Sequence, residues 1–440
     1  MDKKRNKYIF NRLVFHFRPQ NVPESNLIFN HTWGLGGISA TLVILLFITG
    51  ILLQFVYEPL PGNAYDSIVY LQNDVLFGRL IRNIHHWSAN ILVLAAFLHM
   101  MRVYFTGGFH HPRRFNWIIG LFLFFLVLIS NFTGYLLPWD QLGFWAVTIC
   151  TGMVEYIPLF GSWLLKIITG GSETGSPSIL FFFTIHTSVI PVFLITIMMF
   201  HFWHVRKAGG IVSPVSLRKE SWEENSGGKD NNTKTVQHLI VRELVVALVL
   251  IAFIMVFSIL FDVPLQEKAN PGLSPNPAKA PWYFMGIQEI FLHFHPLFTV
   301  FIIPVIFTSV LIFLPYIKYD SDVSGAWFFS RKGRKMGVVA CVTAIFVTPL
   351  AVIYDEFFVD LNSLIPQLPE IINTGLFPVF IIIAAITIFY IWIKNRYSAS
   401  NNETIQAVFI LLSVSFVILT ITGVWFRGSG MALAWPFTVL

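Results

Sequence analysis

The sequence predicts an all-α membrane protein of about nine transmembrane helices, four before a polar linker and five after it. Three observations carry this. Of the 440 residues, 55% are hydrophobic and only 12% charged, against about 25% charged in a soluble domain. A chain this apolar cannot cover a water-facing surface with polar side chains, which excludes a soluble globular enzyme. Nine stretches reach the roughly 20 apolar residues a bilayer requires: 36–57, 84–105, 117–137, 178–205, 239–261, 297–317, 337–354, 376–393 and 405–426. The charges between these stretches also alternate in sign.

The alternation sets a direction. Lys3, Lys4, Arg5, Lys7, Arg12 and Arg18 precede the first span, and basic loops stay in the cytoplasm. Every second loop is basic thereafter: Arg113 and Arg114, Arg206 and Lys207, Arg331 to Lys335, Lys394 and Arg396. The opposite loops carry Asp66, Asp74, Asp140, Asp262, Glu267, Asp355, Glu356 and Asp360. The expectation is a multi-pass protein of the cell inner (cytoplasmic) membrane, N-terminus cytoplasmic and C-terminus outside. The net charge of +6 belongs to loops that meet membrane lipid, so no nucleic acid is implied. No early apolar run marks a secretory signal. Cys150 and Cys341 exclude a disulfide framework, and no CxxCH provides for covalent c-type haem.

Two segments interrupt the spans. The stretch 143–168 is apolar but broken by Gly152, Pro158 and Gly161 and carries Glu155 and Lys166. It reads as short interfacial helices rather than a tenth span. Residues 208–236 form a polar, Gly- and Asn-rich linker without periodicity. It divides the four-helix part from the five-helix part.

Intramembrane histidines are costly and need a reason. The second span holds His85 and His99, 14 residues apart, which is about four turns and ~21 Å of helix. The fourth holds His186 and His201, 15 apart, or ~22 Å. Both spans run outward to inward, so His85 meets His186 near the outer surface and His99 meets His201 near the inner one. Two bis-histidine haem sites stacked across the bilayer are the economical reading, because neutral imidazole suits low-spin haem iron. The bland alternative is four histidines that hydrogen-bond neighbouring helices. His86 and His204 compete as ligands but fit worse in direction or spacing.

Gly36 and Gly50 in the first span, and Gly120 and Gly134 in the third, repeat the 14-residue interval. Each pair presents bare backbone at the two histidine depths, where a flat macrocycle could pack; helix packing alone is the competing explanation. Arg82 and Arg102 lie three residues from proposed ligands, placed either to pair with haem propionates or to snorkel.

At these residues the chain resembles cytochrome b of quinol-oxidising Rieske/cytochrome b complexes, the quinol–cytochrome c and quinol–plastocyanin reductases. The likeness rests on Arg82–His85 as RxxH, the two histidine pairs, GYLLPWDQLGFWA (134–146), HTSVIP (186–191) and HFWHVRKAGGIVSP (201–214). The 15-residue interval and the RKxG after it resemble the chloroplast and cyanobacterial branch, with a subunit IV-like half fused on. The resemblance implies a di-haem four-helix domain at 1–211, a linker at 212–237, a C-terminal domain with the outer quinol-pocket loop at 238–320, and additional helices at 321–440.

It further implies two haem b groups, low-potential at His85/His186 and high-potential at His99/His201. A quinol pocket would lie outside, near Trp282 and Tyr283, and a quinone pocket inside, near Arg206 and Lys207. Those two basic residues are also ordinary positive-inside anchors. Expected partners are a Rieske iron–sulfur protein, a c-type cytochrome subunit, menaquinone or ubiquinone, and a second copy in a homodimer. Electrons would cross the membrane through both haems, coupled to proton translocation in a Q cycle.

Two motifs depart from the family. Its usual Pro-Glu-Trp-Tyr is Ala280-Pro281-Trp282-Tyr283 here, so Pro281 stands where a proton-accepting Glu is expected. Glu289, seven residues after Trp282 on nearly the same face, is the substitute, with a pKa raised by apolar surroundings. The competing role for Glu289 is pairing with His293 or His295. The Cys that bonds an extra haem in the chloroplast branch corresponds to Gly34 in Gly34-Leu35-Gly36-Gly37, so no covalent third haem is expected. A di-haem anchor that relays electrons between quinone and another redox subunit, without bifurcation, fits the same histidines. A haem-free transporter is the third class.

Overall fold

The computed structural model describes residues 21–23, 29–171, 173–212, 233–320, 324–359 and 361–436. The basic N-terminal residues, Asp360 and most of the linker lie outside the described residues. In chain order the helices are α1 (Leu35–Gln54), α2 (Ala64–Asn73), α3 (Gly78–Phe105), α4 (Arg114–Leu136), α5 (Gln141–Met153) and α6 (Gly161–Thr169). They continue as α7 (Ser176–Lys207), α8 (Val236–Leu260), α9 (Trp282–His293), α10 (Phe298–Tyr316), α11 (Arg331–Phe357), α12 (Ile372–Tyr397) and α13 (Asn401–Trp425). Among the described residues nine of these are long and apolar enough to cross a membrane, namely all but α2, α5, α6 and α9. The stretch 143–168 forms the two short helices α5 and α6. A small antiparallel ribbon pairs β1 (Asn21–Pro23) with β2 (Thr233–Thr235).

The spans outrun their apolar windows. α3 begins at Gly78 and α11 at Arg331, six residues before the expected starts at 84 and 337. Arg79, and on α11 Arg331, Lys332, Arg334 and Lys335, are exposed at the helix starts, whereas Arg82 and Asn83 are buried and bond the chain after α8. Local stops and starts follow side-chain chemistry. Ser330 Oγ accepts from Gly333 N at 2.9 Å to open α11, and Ser400 with Glu403 forms a reciprocal capping box on α13.

Three spans contain a π-helical turn, at Ile185–Val189, Phe298–Ile302 and Ile372–Leu376. Each is followed two residues later by a proline: Pro191, Pro304 and Pro378. Proline has no N–H and its ring collides with the carbonyl four residues back, so the preceding turn widens.

By contacts the chain forms two compact units. The first takes in Met1–Gly134, Phe183–Pro264 and Asp322–Trp327; the second takes in Tyr135–Phe182, Leu265–Ser321 and Phe328–Leu440. In the first, α1 lies along α3, and the start of α3 grips the chain after α8. Asn83 Nδ2 donates to the Ser258 carbonyl and Asp262 Oδ1, both at 2.9 Å, and Trp87 Nε1 donates to the Phe261 carbonyl at 2.9 Å. In the second, α13 packs along α11 and across α9.

Candidate functional site

The four predicted histidines face inward between helices of the first unit. His85 and His186 oppose one another with ring centroids 6.3 Å apart. A metal bound at an ordinary imidazole distance of about 2 Å sits about 3 Å from a ring centroid, so this separation admits one metal between two rings. The tautomer also fits. His186 Nδ1 lies 3.0 Å from the Ser130 carbonyl, which can only accept, so Nδ1 carries the proton and Nε2 keeps its lone pair. The Thr49 hydroxyl donates to the Leu45 carbonyl at 2.8 Å, and its oxygen meets His85 Nδ1 at 2.9 Å. Both rings are oriented from behind, as metal-ligating histidines are. His99 and His201 are within electrostatic reach of each other as the second pair.

The predicted glycines contact the imidazoles themselves. A Cβ at Gly50 would lie 3.3 Å from His85 Cε1, and one at Gly134 would lie 2.6 Å from His186 Cε1. At the other depth, Gly36 would meet His99 Cε1 at 3.3 Å and Gly120 would meet His201 Cε1 at 3.6 Å. Each glycine thus makes room for one histidine ring at the depth where a macrocycle would pack. The donor set and the cradle fit a bis-histidine haem at each level.

The unequal intervals have a structural reason. At ~100° per residue, 15 residues would turn His201 about 100° further than the 14 between His85 and His99. The π turn Ile185–Val189 contains His186 and accommodates one additional residue, so α7 presents both histidines on one side. His86 turns its ring to Trp87, and His204 packs among Phe115, Phe200 and Trp203.

The basic candidates are placed as follows. Arg82 is buried and donates to the carbonyls of Val263 at 2.9 Å and Pro264 at 3.2 Å. Arg102 is buried near the end of α3. Lys207 holds its ammonium 4.0 Å over the Trp203 ring, and Arg206 precedes it on the last turn of α7.

In the second unit, Trp282 and Tyr283 open α9, with Tyr283 beside Tyr135 and Trp282 39% exposed. The PWDQ stretch and Gln288 secure the loop ahead of α9. Asp140 caps α5 through Gly143 N at 2.9 Å and accepts from Gln266 N at 3.2 Å. The Gln141 amide accepts from Asn270 N at 2.7 Å and donates to the Leu273 carbonyl. Gln288 likewise accepts from Ala280 N and donates to the Ala278 carbonyl, both at 2.7 Å.

Glu289 departs from expectation. It is fully buried and paired with Arg427, whose Nε lies 3.0 Å from Oε2 and whose Nη2 lies 2.5 Å from Oε1. His293 Nε2 stands 3.4 Å from Oε1. Burial alone would raise this carboxyl, but His293 and Arg427 outweigh it and hold the pKa below the usual carboxylate range, not above it. The Arg427 guanidinium also reaches Glu356 at 2.8 Å, and His293 Nδ1 reaches Asp355 at 2.6 Å. Sequence reasoning named His293 as a partner but missed Arg427, Asp355 and Glu356. The available signal was an arginine on the side of the membrane assigned to acidic loops.

Opposed, glycine-backed histidines within a bundle of long apolar helices define a class, the membrane b-type cytochromes. The family model described as cytochrome b/b6/petB matches residues 20–209. Cytochrome b6 of Prochlorothrix hollandica is 45% identical over 175 residues, covering 40% of this chain and 79% of that protein. Cytochrome b6 of Euglena gracilis is 44% identical over 175 residues, 40% of this chain and 81% of its own. Among solved structures, a chain of a hyperthermophilic respiratory complex III superposes with a TM-score of 0.67 at 20% identity, covering 96% of this chain and 98% of that one. The last likeness shows that the fold, including the helices after 320, is shared. The chain belongs to the cytochrome b/b6 family, a family of haem b proteins, and is a multi-pass membrane protein.

Proposed function

We propose that the chain is the cytochrome b subunit of a quinol-oxidising Rieske/cytochrome b complex, holding one haem b between His85 and His186 and another between His99 and His201. The observation that carries this reading is one device repeated four times: each imidazole set against a glycine of a neighbouring helix. Bound haem would supply one-electron carriers at two depths of the bilayer. The chain's own residues do the rest. The Ser130 carbonyl and Thr133 Oγ1, 3.2 Å from His186 Nδ1, hold the ring proton of His186 and Thr49 that of His85 on Nδ1, and Arg82 and Arg102 supply positive charge near the two levels. Trp282 and Tyr283 wall an outer quinol pocket whose proton acceptor is Glu289. Arg206 and Lys207 stand by an inner quinone pocket.

Oxidation outside and reduction inside would translocate protons as a Q cycle does. The partners are a Rieske protein, a c-type cytochrome, menaquinone or ubiquinone, and a second copy of the complex, in the inner membrane with the N-terminus cytoplasmic. A relay without bifurcation is the second reading, favoured by Pro281 at the position where the family's proton-accepting Glu is expected. The test is purification from the native membrane. The proposal expects a Rieske iron–sulfur signal to accompany two b-type components, with quinol reducing both kinds of centre. Quinol-reducible b haem with no iron–sulfur partner would establish the relay instead.

A further inference from the structure

The segment after the last helix has no assigned role, yet it places one of the most completely buried charged side chains of the described residues. Arg427 is 1% exposed, and its fork engages both oxygens of Glu289. We propose that Arg427 is a positioning residue for quinol oxidation: its fork fixes the carboxylate of Glu289 on the pocket helix α9 as an ion pair, so that the base is present in its proton-accepting form. This rests on the proposed function and on the role of Glu289 within it.

Geometry supports it from each side. Among the described residues the charged groups facing Glu289 are Arg427, from beyond α13, and His293, from its own helix. Asp355 and Glu356 of α11 stand behind these two, on His293 and Arg427 respectively. Lys279 is engaged elsewhere, donating to the Val424 carbonyl at 3.0 Å. Met431 accepts from Arg427 Nη1 at 2.9 Å, and Gly430 N donates to Asn276 of the loop before α9 at 2.5 Å. The segment thus ties the guanidinium, the pocket helix and the preceding loop together. Two cations against one carboxylate overcome the burial that favours its neutral form, which keeps Glu289 ionised through mildly acidic pH.

In the step concerned, one quinol hydroxyl gives its proton to a Glu289 oxygen, which passes it to bulk water, as one electron leaves to the redox partners named above. The second proton and second electron leave the resulting semiquinone in the following step. A neutral carboxyl cannot take the first proton. Removing Arg427 therefore moves the acid limit of turnover towards neutrality, whereas a merely structural defect lowers the rate evenly at every pH.

The experiment is the pH profile of quinol oxidation by the whole complex, from pH 5 to 8.5, for wild type, Arg427→Gln and Arg427→Lys. Wild type should be nearly flat on the acid side. Without the guanidinium, burial favours the neutral carboxyl and raises it, so Arg427→Gln should lose about tenfold at pH 5.5 relative to its own rate at pH 8. Arg427→Lys, which keeps the charge without the fork, should show a smaller shift in the same direction. If Arg427→Gln does not assemble, His293→Gln removes the other facing cation and is read in the same way. An unmoved acid limb, with both haem bands intact, overturns the proposal. A wild-type complex that binds both haems but oxidises no quinol would instead overturn the parent reading.

Discussion

Gly134→Ala isolates the contact between the third span and the His186 ring. The new Cβ would lie 2.6 Å from His186 Cε1 and 3.1 Å from Nδ1, where nonbonded carbons prefer about 3.5–4.0 Å. The ring must therefore retreat by about 1 Å, which takes Nδ1, now 3.0 Å from the Ser130 carbonyl, beyond hydrogen-bonding range. On helix propensity alone the change would stabilise by about 0.5–1 kcal/mol. Overpacking costs about 1–3 kcal/mol, so the clash decides the sign. Loss of a partner that orients a metal-ligating histidine typically weakens metal binding about 10–100-fold. The other glycines form an internal scale: Gly36→Ala and Gly50→Ala meet their rings at 3.3 Å, and Gly120→Ala meets His201 at an ordinary 3.6 Å. Redox-titrated difference spectra of purified variants should show Gly134→Ala losing the His85/His186 component and Gly120→Ala keeping both, with Gly36→Ala and Gly50→Ala between. Identical behaviour of Gly134→Ala and Gly120→Ala would refute the reasoning.

Three further outcomes are expected. Glu289→Gln alone leaves Arg427 buried with only Glu356 as a charged partner, and breaking a buried pair costs about 3–5 kcal/mol; adding Arg427→Gln should recover most of that in thermal unfolding, and equal losses in single and double variants would count against the ion pair. Burial alone would lower His293, but hydrogen bonds to Asp355 and Glu289 prevail and push it up to about 9 from an ordinary 6.5. A raised folded-state pKa adds stability that is fully present below pH 6.5 and disappears as pH climbs through 9. The thermal midpoint should therefore fall over that window, and Asp355→Asn should flatten the fall. Deleting Ser188, an exposed residue of the π turn, should restore regular helix and a 14-residue interval while keeping both b-type components; loss of the outer component alone would show that the turn does not set the phase.

Much of this architecture is legible because a bilayer imposes simple rules. Length and apolarity mark the nine spans, and a histidine inside one is conspicuous because it is costly there. The depth pairing of His85 with His186, and of His99 with His201, follows from helical rise alone. The glycine interval was legible too, but not what the glycines touch, since a small residue does not state its neighbour. Phase within α7 was hidden because a straight-helix count cannot see the π turn ahead of Pro191. The Arg427–Glu289 pair was out of reach for a different reason: its members are 138 residues apart, and no local period joins them. The inverted pKa expectation for Glu289 has two sources: apolar neighbours along α9 suggested a raised value, while His293 one turn on and Arg427 from another part of the chain together reverse it.

The most direct test of two independent haem sites is a potentiometric titration of the purified protein beside His85→Ala and His99→Ala. Two b-type components are expected in the wild type, one surviving in each variant, and the survivors should differ in potential. A single wild-type component, or loss of the same component from both variants, would contradict the paired assignment of His85 with His186 and His99 with His201.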